Sequence, residues 1–295
     1  MKACLSWQTI LASSVTAIPI SSRDASPTYF FTFGDSYTST GFSTSLEQPS
    51  PSNPMGNPPL GVGTSAGGIN WVGYLTTAEN TTLVLSYDLA VGGASIDNKI
   101  VQAYPNDLVS QIGVFQSVYK DKPASAPWSP QDAVFAVWIG INDIGNAYQS
   151  ADPSELTPKL IARYNSLVEE LYGDGARKFL FINVPPTTRS PAIQSQGVSA
   201  VAKHEKFVAI FNDALEDMVL DFNSAYDDAT TVLYDSWSFM TKVLNNPKQY
   251  GFPDATCVND DGVSCIWWNS YHPSSKYHKL QSEDMKPYLR PLGAW

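Results

Sequence analysis

The sequence is poor in histidine, cysteine and positive charge. It has 3 His and 3 Cys among 295 residues, and no third or fourth Cys or His lies at the spacing of zinc ligands. Lys and Arg number 18 against 28 Asp and Glu, so the net charge is -10, and no window is rich in Lys or Arg. Because nothing would neutralise phosphates, nucleic acid is not an expected partner. Neither a metal nor another cofactor is expected.

Long apolar runs are also missing beyond the N-terminus. The longest is "AVFAVWIGI" at 133 to 141, far below the roughly 20 residues that a membrane-spanning helix requires. The motif G-x-S-x-G occurs once, as "GTSAG" at 63 to 67, and "GASID" at 93 to 97 lacks the final Gly. Because "GTSAG" follows a proline-rich segment rather than an apolar strand, an α/β-hydrolase with a nucleophile elbow is disfavoured. The hydrophobic content of 43% is nevertheless ample for a core.

The N-terminus has the pattern of a secretion signal. It reads "MKACLSWQTILASSVTAIPI", with Lys2 before a mostly apolar stretch and with Val15 and Ala17 spaced as small residues are before a cleavage site. This pattern predicts a signal peptide at 1 to 17, and a disordered tail is the alternative. The remaining residues, 18 to 295, are expected to form a single domain of a secreted, extracellular protein.

Cysteine usage agrees with export. Cys4 would leave with the signal, and Cys257 and Cys265 are close enough in sequence to close a small loop. Oxidising compartments favour disulfides, so we predict a disulfide here rather than two free thiols. The only glycosylation sequon is Asn80-Thr81-Thr82, a short pattern that predicts a glycan on Asn80.

Five short runs rich in β-branched and aromatic residues indicate buried strands. They lie at 28 to 33, 83 to 90, 133 to 139, 178 to 184 and 230 to 234. Helix-like segments lie between and after them, at 65 to 78, 107 to 121, 153 to 172, 199 to 222 and 273 to 287. The strands are continuously apolar rather than alternating, which is typical of a parallel sheet covered on both faces. We therefore predict an α/β fold, a three-layer α/β/α sandwich with a five-stranded parallel sheet.

One segment is biased in composition. Residues 47 to 63, "EQPSPSNPMGNPPLGVG", contain five prolines and three glycines. A loop of this length inside a compact domain is usually functional or mobile. Because it closely follows the first predicted strand, it could form a wall of a site there or be a plain surface loop.

Three predicted strands end in residues suited to acyl transfer. The first is followed by Gly34-Asp35-Ser36, the second by Gly92 and Gly93, and the third by Gly140-Ile141-Asn142. The carboxyl ends of parallel strands share one edge, where ligands bind. Acyl transfer needs a nucleophilic oxygen, a base and donors for the oxyanion, and a serine, a glycine N–H and an Asn amide can supply the first and third.

The base must come from three histidines. His204 lies inside the helical stretch "SAVAKHEKFVAIF", where a surface position is expected, and His278 lies on the C-terminal helix. His272 stands in "WWNSYHPSS", with Pro273 at a helix start. Its ring can project from the preceding loop toward the sheet edge, so we favour His272 as the base.

Four blocks of the sequence resemble those of one enzyme superfamily. The blocks "FGDSYTSTGF", "AVGGAS", "GIND" and "NSYHP" occur in the order seen in the GDSL, or SGNH, hydrolases. The surrounding sequence, including "GNPPLGVGTSAGGINWVGYLT" and the tyrosine after the serine, looks like the fungal secreted acetylesterases of carbohydrate esterase family sixteen. The resemblance spans nearly the whole chain after the predicted signal peptide.

This resemblance implies a fold and a set of roles. The fold is flavodoxin-like, with strand order 2-1-3-4-5, and the reaction is ester hydrolysis through an acyl-serine. Ser36 would be the nucleophile and also offer its backbone N–H to the oxyanion. Gly93, or Gly92 if the register of the pair differs, would offer a second N–H and Asn142 a side-chain N–H. His272 would act as general base and then as general acid.

Three residues depart from the family pattern. Two departures are mild: Ser39 replaces the acid often found in GDSxxDxG, and Asp88 stands where the second strand often ends with Asn. The third concerns the base. Three positions before the histidine the family normally has Asp, which orients the imidazole, whereas this chain has Asn269. An amide oxygen can accept from the ring but carries no charge, and a flipped amide would favour the wrong tautomer. Asn269 could suffice, or Asp260, Asp261 or a backbone carbonyl could orient the ring, or the protein could be a poor catalyst.

The leading hypothesis is a secreted serine esterase that removes acetyl groups from plant cell-wall oligosaccharides. A lipase or phospholipase of the same superfamily ranks lower because no amphipathic, Leu-rich lid segment occurs. A degenerate glycan-binding protein is the third possibility, motivated by Asn269. The expected partner is a small-molecule or oligosaccharide ester. The oligomeric state is open, and a monomer is assumed.

Overall fold

A computed structural model describes residues 26–295, so the predicted signal peptide lies outside the described residues. Five strands form one parallel sheet in the order β2-β1-β3-β4-β5. They are β1 (Thr28–Gly34), β2 (Val84–Asp88), β3 (Ala133–Trp138), β4 (Lys178–Ile182) and β5 (Thr230–Tyr234). The predicted fold class, strand positions and strand order are confirmed.

Continuous burial explains the apolar composition of the central strands. All seven residues of β1 and all six of β3 are buried, so neither strand has a solvent face. Phe31 on β1 packs against the rings of Tyr87, Phe115 and Phe135, with centroids 5.0 to 5.1 Å apart. Burial of one such side chain stabilises the fold by about 1.5 to 3 kcal/mol. The sheet is therefore the rigid platform from which the loops at its carboxyl edge project.

Helices cover both faces of the sheet. They are α1 (Trp71–Thr77), α2 (Leu108–Val118), α3 (Ile141–Ala147), α4 (Pro153–Gly173), α5 (Pro191–Gln194), α6 (Val198–Ala225), α7 (Ser236–Asn245) and α8 (Ser275–Leu289). Helices α1, α7 and α8 pack as one layer, and α2, α4 and α6 pack as the other. Among residues 26–295, no helix combines the length and the apolar character needed to cross a membrane.

Some helix boundaries differ from the predicted ones. The helix expected from residue 65 begins only at Trp71, and the side chain of Asn70 caps it by accepting from the Gly73 N–H at 3.2 Å. The preceding Ala-Gly-Gly stretch has poor helix propensity, which explains the late start. Helices α3, α5 and α7 were not predicted. They have 7, 4 and 10 residues, too short for a clear period.

His204 is buried, so its expected surface position is wrong. Its ring packs against Tyr148, with centroids 5.0 Å apart, and its Nδ1 lies 2.8 Å from the Thr188 hydroxyl. Burial lowers the pKa of His204 to about 4. The histidine faces inward because α6 packs on two sides, against α4 and against the short elements around 187–194.

The loop at 47 to 63 packs beside the segment that follows the first strand. Asn57 exchanges two hydrogen bonds with the backbone of Ser43, at 2.9 and 3.0 Å. The carbonyl of Pro54 accepts from the Ser86 N–H on β2 at 2.9 Å. Because β2 is an edge strand, this contact caps part of the open edge and hinders pairing with other chains.

Cys257 and Cys265 form a disulfide, with their Cα atoms 5.1 Å apart. The bridged segment leads directly into the loop that carries His272. Directly beside it, the Trp267 N–H donates to the Cys257 carbonyl at 3.3 Å and the Trp267 indole donates to the Ala255 carbonyl at 2.8 Å. The disulfide therefore restrains the segment on the N-terminal side of His272.

Replacing both bridged cysteines with serine should lower the free energy of unfolding. A closed loop of this size restricts the unfolded chain by about 2.5 kcal/mol in the chain-entropy model. Urea unfolding of the wild type and of the Cys257→Ser/Cys265→Ser variant, both without reductant, measures the difference. Equal midpoints and equal slopes would contradict a stabilising disulfide, and wild type treated with reductant should resemble the variant.

Candidate active site

The site lies where β1, β3 and the segment after β2 end. Gly34 closes β1 with a φ of +148°, and a Cβ there would lie 2.2 Å from the Trp138 carbonyl oxygen. Both backbone groups of Gly34 bond to the buried Gln111 side chain, at 2.9 and 2.8 Å. Only glycine fits this close approach. The junction between strand and turn is therefore fixed from β3 and from α2.

Asp35 builds the turn that presents Ser36. Its carbonyl accepts from the N–H groups of Thr38 and Ser39 at 3.0 and 2.8 Å, and its Oδ1 accepts from the Tyr37 N–H at 2.9 Å. The carboxyl is fully buried, and its Oδ2 has no partner among the described residues. Burial raises the pKa of Asp35 to about 7. This residue shapes the backbone and leaves Ser36 partly exposed.

Ser36 and His272 are in hydrogen-bonding contact although 236 residues separate them. Ser36 Oγ lies 2.7 Å from His272 Nε2. Burial lowers the pKa of His272 to about 4, so the imidazole is neutral at neutral pH. A neutral Nε2 can take the hydroxyl proton as the oxygen attacks a carbonyl, which is the geometry of a nucleophile and its base.

Asn269 holds the other ring nitrogen. Its Oδ1 lies 3.1 Å from His272 Nδ1 and 2.8 Å from the backbone N–H groups of Tyr271 and His272. A backbone N–H can only donate, so the atom that faces these two groups must be the amide oxygen. A flipped amide would set two NH hydrogens against two donors. Nδ1 therefore carries the proton, and Nε2 is free to accept from Ser36.

The other candidate orienters face elsewhere. Asp261 Oδ1 accepts from the Val263 and Ser264 N–H groups at 2.8 Å each, inside the disulfide loop. Asp260 is exposed. Within residues 26–295, neither of these carboxylates nor any backbone carbonyl bonds to the His272 ring. Asn269 is the group that the structure places on Nδ1.

Several groups at this edge of the sheet can donate to an oxyanion. Within the described chain, the N–H groups of Ser36, Gly92 and Gly93 donate to no other protein group. Gly93 has a φ of +81°, and a Cβ there would approach Tyr104 Cβ at 2.9 Å. Its neighbour Gly92 lies beside the nucleophile, since a Cβ on it would be 3.8 Å from Ser36 Cβ. Both glycines of the pair thus belong to this edge of the site.

Asn142 contributes an amide from the first turn of α3. One Nδ2 hydrogen is donated to the Ala94 carbonyl at 2.9 Å, and the amide has a second. The next residue, Asp143, is buried, and both its carboxylate oxygens accept from the Ile96 N–H, at 3.1 and 3.2 Å. Burial raises the pKa of Asp143 to about 7. These contacts tie α3 to the segment that carries the glycine pair.

Asp88 at the end of β2 joins that strand to the nucleophile turn. Its carboxylate accepts from the Thr32 hydroxyl at 2.7 Å, from the Thr40 N–H at 2.5 Å and from the Ala90 N–H at 3.2 Å. Burial raises the pKa of Asp88 to about 6, against these lowering hydrogen bonds. The carboxylate positions backbone and makes no contact with the His272 ring in the part of the chain described.

Sequence reasoning missed several supporting residues. The Tyr37 hydroxyl donates to the Tyr271 carbonyl at 2.5 Å, and its ring lies 5.5 Å from that of His272. Ser275 donates from its N–H to the Ala66 carbonyl and from its hydroxyl to the Ile69 carbonyl, at 2.7 Å each. They fix the histidine loop to the first half of the chain. Tyr37 could have been noticed, because it directly follows Ser36 in the sequence block. Nothing in the sequence points to Gln111 or Ser275 as supporting residues.

The arrangement contains the groups that acyl transfer needs. A hydroxyl is paired with a neutral imidazole, and unpaired N–H groups and an amide lie at the same edge of the sheet. In the described residues, no group of three His, Cys, Asp or Glu side chains is placed to hold a metal ion. The sequence profile of the GDSL-like Lipase/Acylhydrolase family matches residues 30–285. This chain belongs to the GDSL family.

Two curated members of this family are fungal acetylesterases. The acetylesterase of Thermothelomyces thermophilus is 39% identical over 274 residues, which cover 92% of this chain and 91% of that protein. The acetylesterase of Hypocrea jecorina is 29% identical over 300 residues, covering 84% of each chain. The resemblance seen in the sequence blocks is confirmed, and the chain is a carboxylic ester hydrolase.

Solved GDSL structures share the fold. A putative GDSL-like lipase from Parabacteroides merdae superposes with a TM-score of 0.53 at 13% identity, covering 90% of this chain and 95% of that one. A catalytic mutant of Axe2, an acetylxylan esterase from Geobacillus stearothermophilus, gives a TM-score of 0.51 at 13% identity, covering 90% and 94%. At this identity the likeness concerns the fold.

Proposed function

We propose that this GDSL esterase is secreted and removes acetyl groups from plant cell-wall oligosaccharides. The observation that carries the serine mechanism is the 2.7 Å contact of Ser36 with a histidine whose tautomer Asn269 fixes. Relatives with the name acetylesterase support the acetyl group as the substrate. The predicted signal peptide and the Cys257–Cys265 disulfide support export to an oxidising compartment.

In the proposed first half-reaction, Ser36 Oγ bonds to the ester carbonyl carbon while its proton passes to His272 Nε2. The N–H groups of Ser36 and Gly93 and the Asn142 amide donate to the oxyanion that develops. The bond between the carbonyl carbon and the alcohol oxygen then breaks. Nε2–H protonates that oxygen, so the alcohol leaves and acetyl-serine remains.

In the second half-reaction, water takes the place of the alcohol. His272 Nε2 accepts a proton from the water as its oxygen bonds to the acyl carbon. The same three donors hold the second oxyanion. The bond to Ser36 Oγ breaks, Oγ regains the proton from Nε2, and acetic acid departs and ionises in the solvent. Asn269 stays hydrogen-bonded to Nδ1–H throughout and keeps the ring aligned.

A chain-length series tests this proposal. The full chain is expressed in a fungal host, and protein from the medium is assayed on acetylated xylo-oligosaccharides and on acetyl, butyryl and octanoyl aryl esters. We expect acetate release from the oligosaccharides and a fall in kcat/KM of about 10-fold or more from acetyl to butyryl, with a further fall to octanoyl. Retention in the cells would contradict secretion.

Two other outcomes correspond to the alternatives. Preference for octanoyl esters and phospholipids over acetyl esters would make the chain a lipase or phospholipase. Binding of acetylated oligosaccharides without release of acetate would make it a glycan-binding protein. The intact hydroxyl–imidazole contact argues against the second alternative, since a binder has no use for a paired nucleophile and base.

A further inference from the structure

A shallow cleft of about 330 Å³ opens beside Asn142 and Tyr271. Asn142 is the amide donor of the site, and Tyr271 precedes the base. The cleft is much larger than the three heavy atoms of an acetyl group and lies at the lower end of the range of about 300–1,000 Å³ for small-molecule sites. It lies between Asn142 and Tyr271, the residue before the base, and this place suits the leaving alcohol rather than the acyl group.

Its polar lining consists of carboxamides and phenols. The residues are Asn142, Asn146, Gln149, Gln196, Tyr148 and Tyr271. Among the described residues, no charged one lines the cleft, although the whole chain carries a net charge of -10. Neutral amides bind hydroxyl groups well, and such a surface gives no electrostatic attraction to an anionic or cationic headgroup.

Several of these groups keep hydrogen-bonding capacity. Gln149 donates one amide hydrogen to the Tyr148 hydroxyl at 2.9 Å, and its oxygen accepts from no group in the described chain. Within the same residues, the Gln196 side chain makes no hydrogen bond, and both glutamines are exposed. Asn146 donates to the Asn142 carbonyl at 2.8 Å, which leaves its oxygen free. The cleft thus offers acceptors and donors to a ligand rich in hydroxyls.

A larger cleft serves as a contrast. It has a volume of about 660 Å³ and lies along α6 and β5. Four carboxylates line it, and none of the proposed catalytic residues does; the carboxylates are those of Glu205, Asp213, Glu216 and Asp235. Size alone would choose this cleft, but its lining is acidic and contains neither Asn142 nor a residue next to His272.

We propose that the cleft beside Asn142, here called the amide cleft, binds the alcohol part of the ester as a neutral sugar ring. This inference rests on the proposed function and assigns the sugar to the side of α3 and of residues 192–196. The sugar hydroxyls pair with Gln149 and Gln196, and the acetylated oxygen points toward His272 Nε2. The two glutamines then determine specificity without touching the reacting atoms.

The test uses a Gln149→Leu/Gln196→Leu variant, which keeps side-chain size and removes both amides. Loss of two neutral hydrogen bonds should lower kcat/KM on acetylated xylo-oligosaccharides about tenfold relative to kcat/KM on 4-nitrophenyl acetate, mainly through KM. The matched control is Gln249→Leu, which changes an exposed glutamine on the 3-10 helix Pro247–Tyr250. That control should keep the wild-type ratio.

A second measurement is independent of catalysis. Binding of unacetylated xylotriose, followed by calorimetry, should weaken about tenfold in the double variant and not in the control. If the double variant keeps both the wild-type ratio of the two kcat/KM values and the wild-type xylotriose affinity, the amide cleft does not bind the sugar. Acetate release by the wild type would still support the proposed function in that case. If the wild type releases no acetate from oligosaccharides and binds no xylotriose, both proposals fail. If the wild type binds xylotriose but releases no acetate, only the proposed function is contradicted.

Discussion

Replacing Ser36 with alanine should lower kcat on acetyl esters by about 100,000-fold or more, because no other group can form the acyl intermediate. The alanine variant keeps the backbone N–H groups of Ser36 and Gly93, so some catalysis over water should remain. Acetate release from acetylated xylo-oligosaccharides and hydrolysis of 4-nitrophenyl acetate measure the loss. A fluorophosphonate should add covalently to the wild type and not to the variant, which intact mass would show.

Ser39 supplies the matched control for this experiment. It lies in the same turn, and its hydroxyl accepts only weakly from the Gly41 N–H at 3.4 Å. Ser39→Ala should keep activity within a few-fold of the wild type. Ser36→Ala with more than about 1% of wild-type kcat, or labelled by the fluorophosphonate, would exclude the proposed nucleophile.

Replacing Asn269 with leucine should lower kcat by about 1,000- to 10,000-fold, the second-largest loss expected. The leucine removes the acceptor that fixes the proton on His272 Nδ1, so the ring is free to take the other tautomer. In that tautomer Nε2 carries a hydrogen and no longer accepts from Ser36. Steady-state kinetics at pH 8 measure the effect, where the wild-type imidazole is neutral.

Replacing Asn269 with aspartate should have a different signature. The plateau kcat should stay or rise, because the carboxylate still accepts from Nδ1–H and stabilises the imidazolium of the transition state. The same charge favours imidazolium in the free enzyme and raises the pKa of His272 from about 4 by about 1 to 3 units. The acid limb of kcat/KM should therefore move to higher pH, and the variant should be slower than the wild type near pH 5.

The pH profile separates positioning from structural damage. A merely misfolded Asn269→Asp variant would lose activity at every pH and would unfold at lower urea concentration. A large loss of plateau kcat in a folded Asn269→Asp variant would instead point to a local network that requires the amide. An acid limb that stays in place would contradict the pKa argument.

The central strands were predictable because a strand that is buried on both faces has a continuously apolar sequence. Residues 28 to 33 and 133 to 139 are continuously apolar, and both strands are fully buried. The order of the strands in the sheet could not be predicted in this way. It came from the resemblance of four sequence blocks to GDSL hydrolases, because apolar runs do not encode which strand pairs with which.

The missed elements have physical reasons. Helix α3 starts at Ile141, directly after β3, so its first turn reads as the end of an apolar strand. Helix α7 has only 10 residues, and its start depends on the Asp235 carboxylate accepting from the Ser238 N–H at 3.0 Å. Such caps are local contacts that many Asp residues could form. The burial of His204 between packed helices depends on tertiary packing alone.

The candidate site was only partly predictable. Ser36, Gly93, Asn142 and His272 were named from strand ends and sequence blocks. The role of the Asn269 oxygen was open, because its orientation depends on two backbone N–H groups that a loop brings together. Gln111 gave no signal either. Its side chain bonds to the backbone of Gly34, 77 positions earlier, and these hydrogen bonds require the folded contact between α2 and β1.

The separation of Ser36 and His272 by 236 residues has a consequence for biosynthesis. A growing chain completes the nucleophile turn early, but the base is added only with the segment after the Cys257–Cys265 loop. Ser275 then binds that segment to residues 66 to 69, and the Tyr271 carbonyl accepts from the hydroxyl of Tyr37, the residue after Ser36. On the proposed roles, a polypeptide released from the ribosome too soon carries a hydroxyl with no proton acceptor. Esterase activity therefore appears only in molecules whose synthesis has passed His272.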